Sequence, residues 1–254
     1  MARSHVIEDQ IVIDGLQAIC EIDSGYRFYI GGGTAVQAQV PSRYHRRTSD
    51  IDSTFGRPLN NQGFKELVAP FIAYLTEKGY ECETEKNRQH FDVVYAQEDE
   101  SHLFQVSRRS SANFERNRAE ISRELERVVQ RLCAGVELPL LSPEDLILHK
   151  SRRVCVFEDR YGLSALRKYS SHDEQFDYLM RERKRLERSF DNATPEEIAE
   201  FRLQADLFDI GLLLDYAEFD EQYYREWAAK EPIFKRNLDK SKKIVRSIDE
   251  RLEF

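Results

Sequence analysis

The chain has 254 residues, 41% of them hydrophobic, with 38 basic against 46 acidic side chains and a formal net charge of −8. That length supports one large domain or two small ones, and the acidic balance argues against a surface that adheres generally to nucleic acid, while leaving room for a local basic groove. No apolar run is long enough to span a bilayer, the opening MARSHVIEDQIVID lacks the apolar core of a signal peptide, and Cys20, Cys82, Cys133 and Cys155 form no C-x-x-C pair, as expected of reduced thiols in a cytoplasmic protein.

Apolar side chains at helical spacing (Ile7, Ile11, Ile13, Leu16, Ile19) predict a helix over residues 6–20, packed on a sheet. Residues 26–30 read as a first, buried strand ending in Phe28-Tyr29-Ile30. Gly31-Gly32-Gly33-Thr34 follow, and residues 35–40 can open a helix. Glycines between a strand and a helix bring bare backbone N–H groups together, which suits a phosphate; a glycine run alone is as often a plain turn. Residues 42–49 form a basic link in which Arg46 or Arg47 either meets phosphate or RNA or pairs with a nearby acid.

The next strand carries Asp50-Ile51-Asp52 and ends at Phe55. Alternation puts the two carboxylates on one face. They repel each other unless a cation lies between them, and hard oxygen ligands of this kind suit Mg²⁺ or Mn²⁺. D-x-D alone is commonplace on solvated strand ends. After a loop over residues 56–63, an apolar stripe predicts a helix over 64–78, with Pro70 as a kink point and Gly79 as the stop. Strands are expected at 80–86, 91–96 and 103–107, with a turn at 97–101.

From Phe114 onward the sequence reads as helical. An amphipathic helix is expected over 118–132, then a brief apolar segment at 136–141. Ser142-Pro143-Glu144-Asp145 and Thr194-Pro195-Glu196-Glu197 are helix starts, each with a capping hydroxyl, a proline in the first turn and a following acid. The charged stretch 161–191 is either a solvated helix face or an RNA-facing surface, and residues 218–254 are aromatic and basic helical sequence. The expected architecture is α/β: a small mixed sheet within residues 1–112, then a mainly helical region over 113–254 that packs on the core and completes a nucleotide site.

The order of strand, glycines and D-x-D on the next apolar run resembles the first motif of the DNA polymerase beta nucleotidyltransferase superfamily. The form GGTA…HRRTSDID is similar to its AbiEii-like branch (AbiEii/AbiGii toxin type), known for toxins of abortive-infection and toxin–antitoxin systems. The resemblance implies that Gly32, Gly33 and Thr34 grip a nucleoside triphosphate and that Asp50 and Asp52 hold Mg²⁺ or Mn²⁺. The segment LSPEDLILHKSRR resembles a capped helix that carries a lysine, here Lys150, toward the nucleotide. ADLFDIGLLLD, with Asp206 and Asp209, resembles the K/R-D-x-x-D helix that follows in the family, Asp206 orienting Lys150 or a substrate group. Ala205 departs from that pattern, standing where a basic residue is common.

A second departure is chemically larger. The strand HLFQVSRR resembles the segment that supplies a third carboxylate, but it offers Gln105, an amide that ligates metal weakly and cannot act as a base near neutral pH. Asp92 is the nearby replacement, or else a surface acid at a strand end. Three functions stay open. One is a nucleotidyltransferase acting on RNA, for instance a tRNA 3′ end, as a toxin with a cognate antitoxin. Another is a transferase for a small-molecule or protein hydroxyl. The last is a degenerate fold that binds nucleotide or a partner without chemistry.

Overall fold

The computed structural model describes residues 9–22, 25, 27–46, 48, 50–87, 90–107, 110–133, 135–161, 169–188 and 193–254. The chain divides into two compact units, Met1–Ser142 and Pro143–Phe254. In the first, the order is α1 (Gln10–Ile19), β1 (Phe28–Ile30), α2 (Gly32–Gln37), β2 (Asp50–Phe55), α3 (Asn61–Glu77), β3 (Glu81–Lys86), β4 (His90–Gln97), β5 (Glu100–Ser107), α4 (Ser111–Glu126), β6 (Val129–Cys133) and β7 (Val136–Leu140). The described strands form one mixed sheet in the order β3-β4-β5-β2-β1-β7-β6. The pair β2–β5 is parallel, while β1–β2, β3–β4 and β4–β5 are antiparallel.

Register explains how this sheet separates core from site. Ile51 on β2 pairs with Phe104 on β5, which pairs with Val93 on β4; Ser53, Val106 and Phe91 form the next row. All six are buried. From α3, Phe71 stacks on Phe104 with ring centroids 4.7 Å apart, and Phe64 on Phe91 at 4.9 Å. Burial of each such ring stabilises by roughly 1.5–3 kcal/mol. The alternate positions point the other way and carry Asp50, Asp52 and Thr54 on β2, Gln105 and Ser107 on β5, and His90 and Asp92 on β4. One face is therefore mainly apolar and covered by α3, while the other gathers these polar side chains.

The helix α3 begins earlier than residue 64 because Asn60 caps it, its side chain accepting from the Gly63 N–H at 2.8 Å. It runs through Pro70. The Gln97–Glu100 pairing shortens the expected turn to Glu98 and Asp99.

The structure departs from the expected helix after Glu126. A helix over 118–132 was expected; α4 instead ends at Glu126, and β6 and β7 form a hairpin in which Cys133 pairs with Val136. Gly135 in the turn has φ +80°, the left-handed conformation that tight hairpins demand and glycine supplies. Cys133, Leu138 and Leu140 are buried, and Leu140 pairs in parallel with Ile30 on β1. Long-range pairing thus overrides local helical pattern, and the sheet-bearing unit continues past residue 112 to Ser142.

The second unit is helical in its described residues: α5 (Pro143–Tyr161), α6 (His172–Arg188), α7 (Pro195–Tyr216), α8 (Glu221–Ala228), α9 (Pro232–Arg236) and α10 (Leu238–Ile248). At the start of α7 the Thr194 hydroxyl accepts from the Glu197 N–H, and the Glu197 carboxylate accepts from the Thr194 N–H, a reciprocal capping box. The helix is buried nearly all round from Leu203 to Leu214. On α6, Arg183 pairs with Glu187, and Arg185 with Glu182 and Glu197. These arginines are neutralised by neighbours, as in a solvated helix face. Residues 162–168 and 189–191 of the expected charged stretch lie outside the described residues. Among those described, no helix is long and apolar enough to cross a membrane.

Candidate functional site

The glycine run is stitched to the D-x-D strand by backbone and side chain together. The Gly31 N–H donates to the Asp52 carbonyl at 2.9 Å, and the Thr34 hydroxyl donates to the Asp50 carbonyl at 3.1 Å. Gly32 has φ +62°, and a Cβ there would lie 3.0 Å from Asp52 Cγ, within the volume its carboxylate occupies. Glycine serves two purposes at this point: it permits the backbone turn and leaves space for the acid. A Cβ on Gly33 would meet Thr48 Cγ2 at 3.3 Å and the Arg46 guanidinium at 3.8 Å, so Arg46 stands beside the loop. Arg47 lies outside the described residues.

Asp50 and Asp52 occupy the same polar face, and a second row extends sideways from them. Asp52 pairs with Gln105 on β5, and Gln105 pairs with Asp92 on β4. Gln105 Nε2 donates to Asp92 Oδ1 at 3.1 Å, and Asn87 Nδ2 donates to Asp92 Oδ2 at 2.7 Å. Asp92 is buried, with 5% of its surface exposed. Burial pushes its pKa up, and the Asp52 charge adds to this; His90 and the two amide donors pull it back only in part. The structure therefore brings Asp50, Asp52, Gln105 and Asp92 onto one face of three adjacent strands. Asp92 is not a surface acid.

In the second unit Lys150 and Asp206 are also brought together. The Lys150 ammonium, 3% exposed, donates to Asp206 Oδ1 at 2.9 Å and to Asp209 Oδ2 at 2.7 Å. Arg153 adds a two-pronged contact to Asp206, Nε to Oδ2 at 2.8 Å and Nη2 to Oδ1 at 2.6 Å. Burial opposes ionisation of Asp206, but the charges of Lys150 and Arg153 and their hydrogen bonds outweigh it and hold its pKa below the usual range. In these contacts two cations meet two carboxylates, and together they clamp α5 to α7. Ala205 is buried beside it. The cation expected next to Asp206 in sequence comes instead from Arg153 on another helix.

The sequence assigns no role to Asn87 or Arg153, and none to Asp209 beyond its place in the D-x-x-D element. Arg153 and Asp209 had a legible signal: Lys150 and Arg153 are spaced i, i+3 on one helix and Asp206 and Asp209 i, i+3 on another, each pair on one helix face. Asn87 had none, since its contact depends on how β3 leads into β4.

The first-unit row fits a hard divalent cation. Its donors are carboxylate and amide oxygens, and a side chain at Gly32 would fill the space on which Asp52 opens. No family model and no curated protein sequence matches the chain. Among solved structures the chain is similar to an antigenic nucleotidyltransferase-like protein from Paracoccidioides brasiliensis, with a TM-score of 0.44 and 13% identity over 92% of this chain and 90% of that one. It is also similar to terminal uridylyl transferase 4 from Trypanosoma brucei with bound CTP, with a TM-score of 0.26 and 17% identity over 82% of this chain and 64% of the other.

Proposed function

We propose that this chain is a metal-dependent nucleotidyltransferase that moves a nucleoside monophosphate from an NTP to an acceptor hydroxyl. The observation that carries the reading is the closure of the Gly32 backbone against the Asp52 carboxylate, with Asp50 on the same face. In this reading Asp50 and Asp52 hold Mg²⁺ or Mn²⁺, and Gly32, Gly33 and Thr34 receive the triphosphate. The cation, when bound, supplies charge neutralisation for the triphosphate. The chain's residues hold the α-phosphate in line with the incoming hydroxyl. The new P–O bond forms at the acceptor oxygen as the α,β bond breaks and pyrophosphate leaves; the hydroxyl proton passes to solvent or a carboxylate.

The resemblance to the AbiEii-like branch extends the reading to an RNA acceptor, such as a tRNA 3′ end, and to a toxin held in check by an antitoxin. It also enlists Lys150 as a nucleotide cation oriented by Asp206; the buried clamp favours a structural role for both as the second reading. Incorporation of α-labelled NTPs into total RNA and total protein, with Mg²⁺ or Mn²⁺, tests the proposal. Wild type should label an acceptor, and Asp52→Asn should reduce the rate by about 10²–10³-fold or more, the scale for losing an oriented electrostatic stabiliser. Label in protein would replace RNA by a protein hydroxyl. Equal labelling by wild type and variant would sink the site assignment.

A further inference from the structure

We infer that Gln105 is a neutral third ligand of the divalent cation and that Asp92 is the positioning residue that turns its amide. This rests on Asp50 and Asp52 as metal ligands. The His90 N–H can only donate, and it donates to Asn87 Oδ1 at 2.7 Å. That fixes the Asn87 amide, so its Nδ2 faces Asp92 and donates to Oδ2. Asp92 then accepts on its other oxygen from Gln105 Nε2. Reversing the Gln105 amide would set its oxygen against the Asp92 carboxylate, acceptor against acceptor. The chain of hydrogen bonds from β4 thus decides which end of Gln105 is spent, and the carbonyl oxygen is the end left for a cation.

Asp92 is ill-suited to be the ligand itself. It is buried, each of its oxygens already accepts a hydrogen bond, and Gln105 stands between it and Asp52 in the register. Gln105 is half-buried and directly beside Asp52. The negative charge of a third acid is therefore held one strand away from the cation, in the layer behind the ligands, where such partners orient ligands and tune affinity. A ligand set with two carboxylates and one amide binds a free cation more weakly than three carboxylates would, so loading depends on the triphosphate that arrives with it.

Mn²⁺ binding to the full chain, read from the electron paramagnetic resonance of free Mn²⁺ without nucleotide, tests this apart from catalysis. Gln105→Leu should weaken binding by about tenfold, and Asp92→Asn by a comparable factor, the scale for partners behind a ligand. Gln105→Glu should tighten it. So should Asp92→Asn combined with Gln105→Glu, which moves the charge one strand towards Asp52 and keeps an amide-to-carboxylate hydrogen bond across the pair. Unchanged affinity in Gln105→Glu overturns the inference even if Gln105→Leu fails to fold. Asp52→Asn separates the two levels. If it abolishes Mn²⁺ binding while the Gln105 variants bind as wild type, only this inference falls. If Asp52→Asn binds as wild type, the metal-site reading beneath it falls too.

Discussion

Gly32 and Gly33 are neighbours of the same type, yet substitution at each has a different expected cost. At Gly32 an alanine meets both the positive φ and the Asp52 carboxylate. Gly32→Ala is expected to lose about 1–2 kcal/mol from the left-handed backbone alone and to displace Asp52, so nucleotide incorporation should fall far more than stability. Gly33→Ala keeps its backbone N–H, meets the Thr48 methyl at 3.3 Å and the Arg46 guanidinium at an ordinary 3.8 Å, and should leave incorporation within a few-fold of wild type. Labelling assays and thermal melts on the two variants check the contrast. Asp14 offers a residue-scale test of stability. Burial opposes its ionisation, but hydrogen bonds from Lys78 (2.6 Å), Tyr80 (2.7 Å) and Gln10 (3.0 Å) outweigh it and lower its pKa from the ordinary 3.8. A folded pKa below the unfolded one means that the contribution is present above about pH 4 and is lost as pH falls through the folded value. Asp14→Asn should cost about 1–3 kcal/mol at neutral pH and flatten the acid limb of a urea-unfolding stability profile.

At the scale of elements, the pairing of α5 with α7 depends on buried ion pairs. Removing one cation leaves Asp209 buried without its ammonium. Lys150→Met is expected to destabilise by about 3–5 kcal/mol in denaturant unfolding, the cost of breaking a buried ion pair from one side. Arg153, half exposed, should cost less on truncation. The hairpin Val129–Leu140 tells a different story. Its first strand begins within the stretch that reads as an amphipathic helix over 118–132, and its second falls within the brief apolar segment at 136–141; Gly135 and Pro139 are the local marks against a helix in these residues. What makes them strands is the pairing of Leu140 with Ile30, more than a hundred positions earlier. The strands β2, β4 and β5 were legible because apolar side chains (Ile51, Phe55, Phe91, Val93, Tyr95, Phe104, Val106) recur on one face at alternate positions. The capping signals before α5 and α7 were legible because capping is local chemistry.

Across the whole chain, net charge and charge placement differ. Exposed Lys235, Arg236, Lys242 and Lys243 of α9 and α10 have no carboxylate partner among the described residues, whereas Arg183 and Arg185 of α6 are matched to acids. On the RNA reading α9 and α10 offer a basic face in addition to the charged stretch 161–191. Reversing three of these lysines and arginines (Lys235→Glu, Lys242→Glu, Lys243→Glu) should reduce the slope of log affinity against log salt for single-stranded RNA by about 2, at about 0.7 per phosphate. An unchanged slope would place RNA elsewhere or nowhere. The sequence by itself determined the strand–glycine–D-x-D order, the starts of α5 and α7 and the amide at Gln105 in place of an acid, because each depends on neighbours in the chain. Only the tertiary structure decided that Gly32 makes room for Asp52, that Asp92 stands behind Gln105, and that Lys150 is held by two aspartates. Those facts depend on register between strands and on packing between distant helices, which local spacing does not encode.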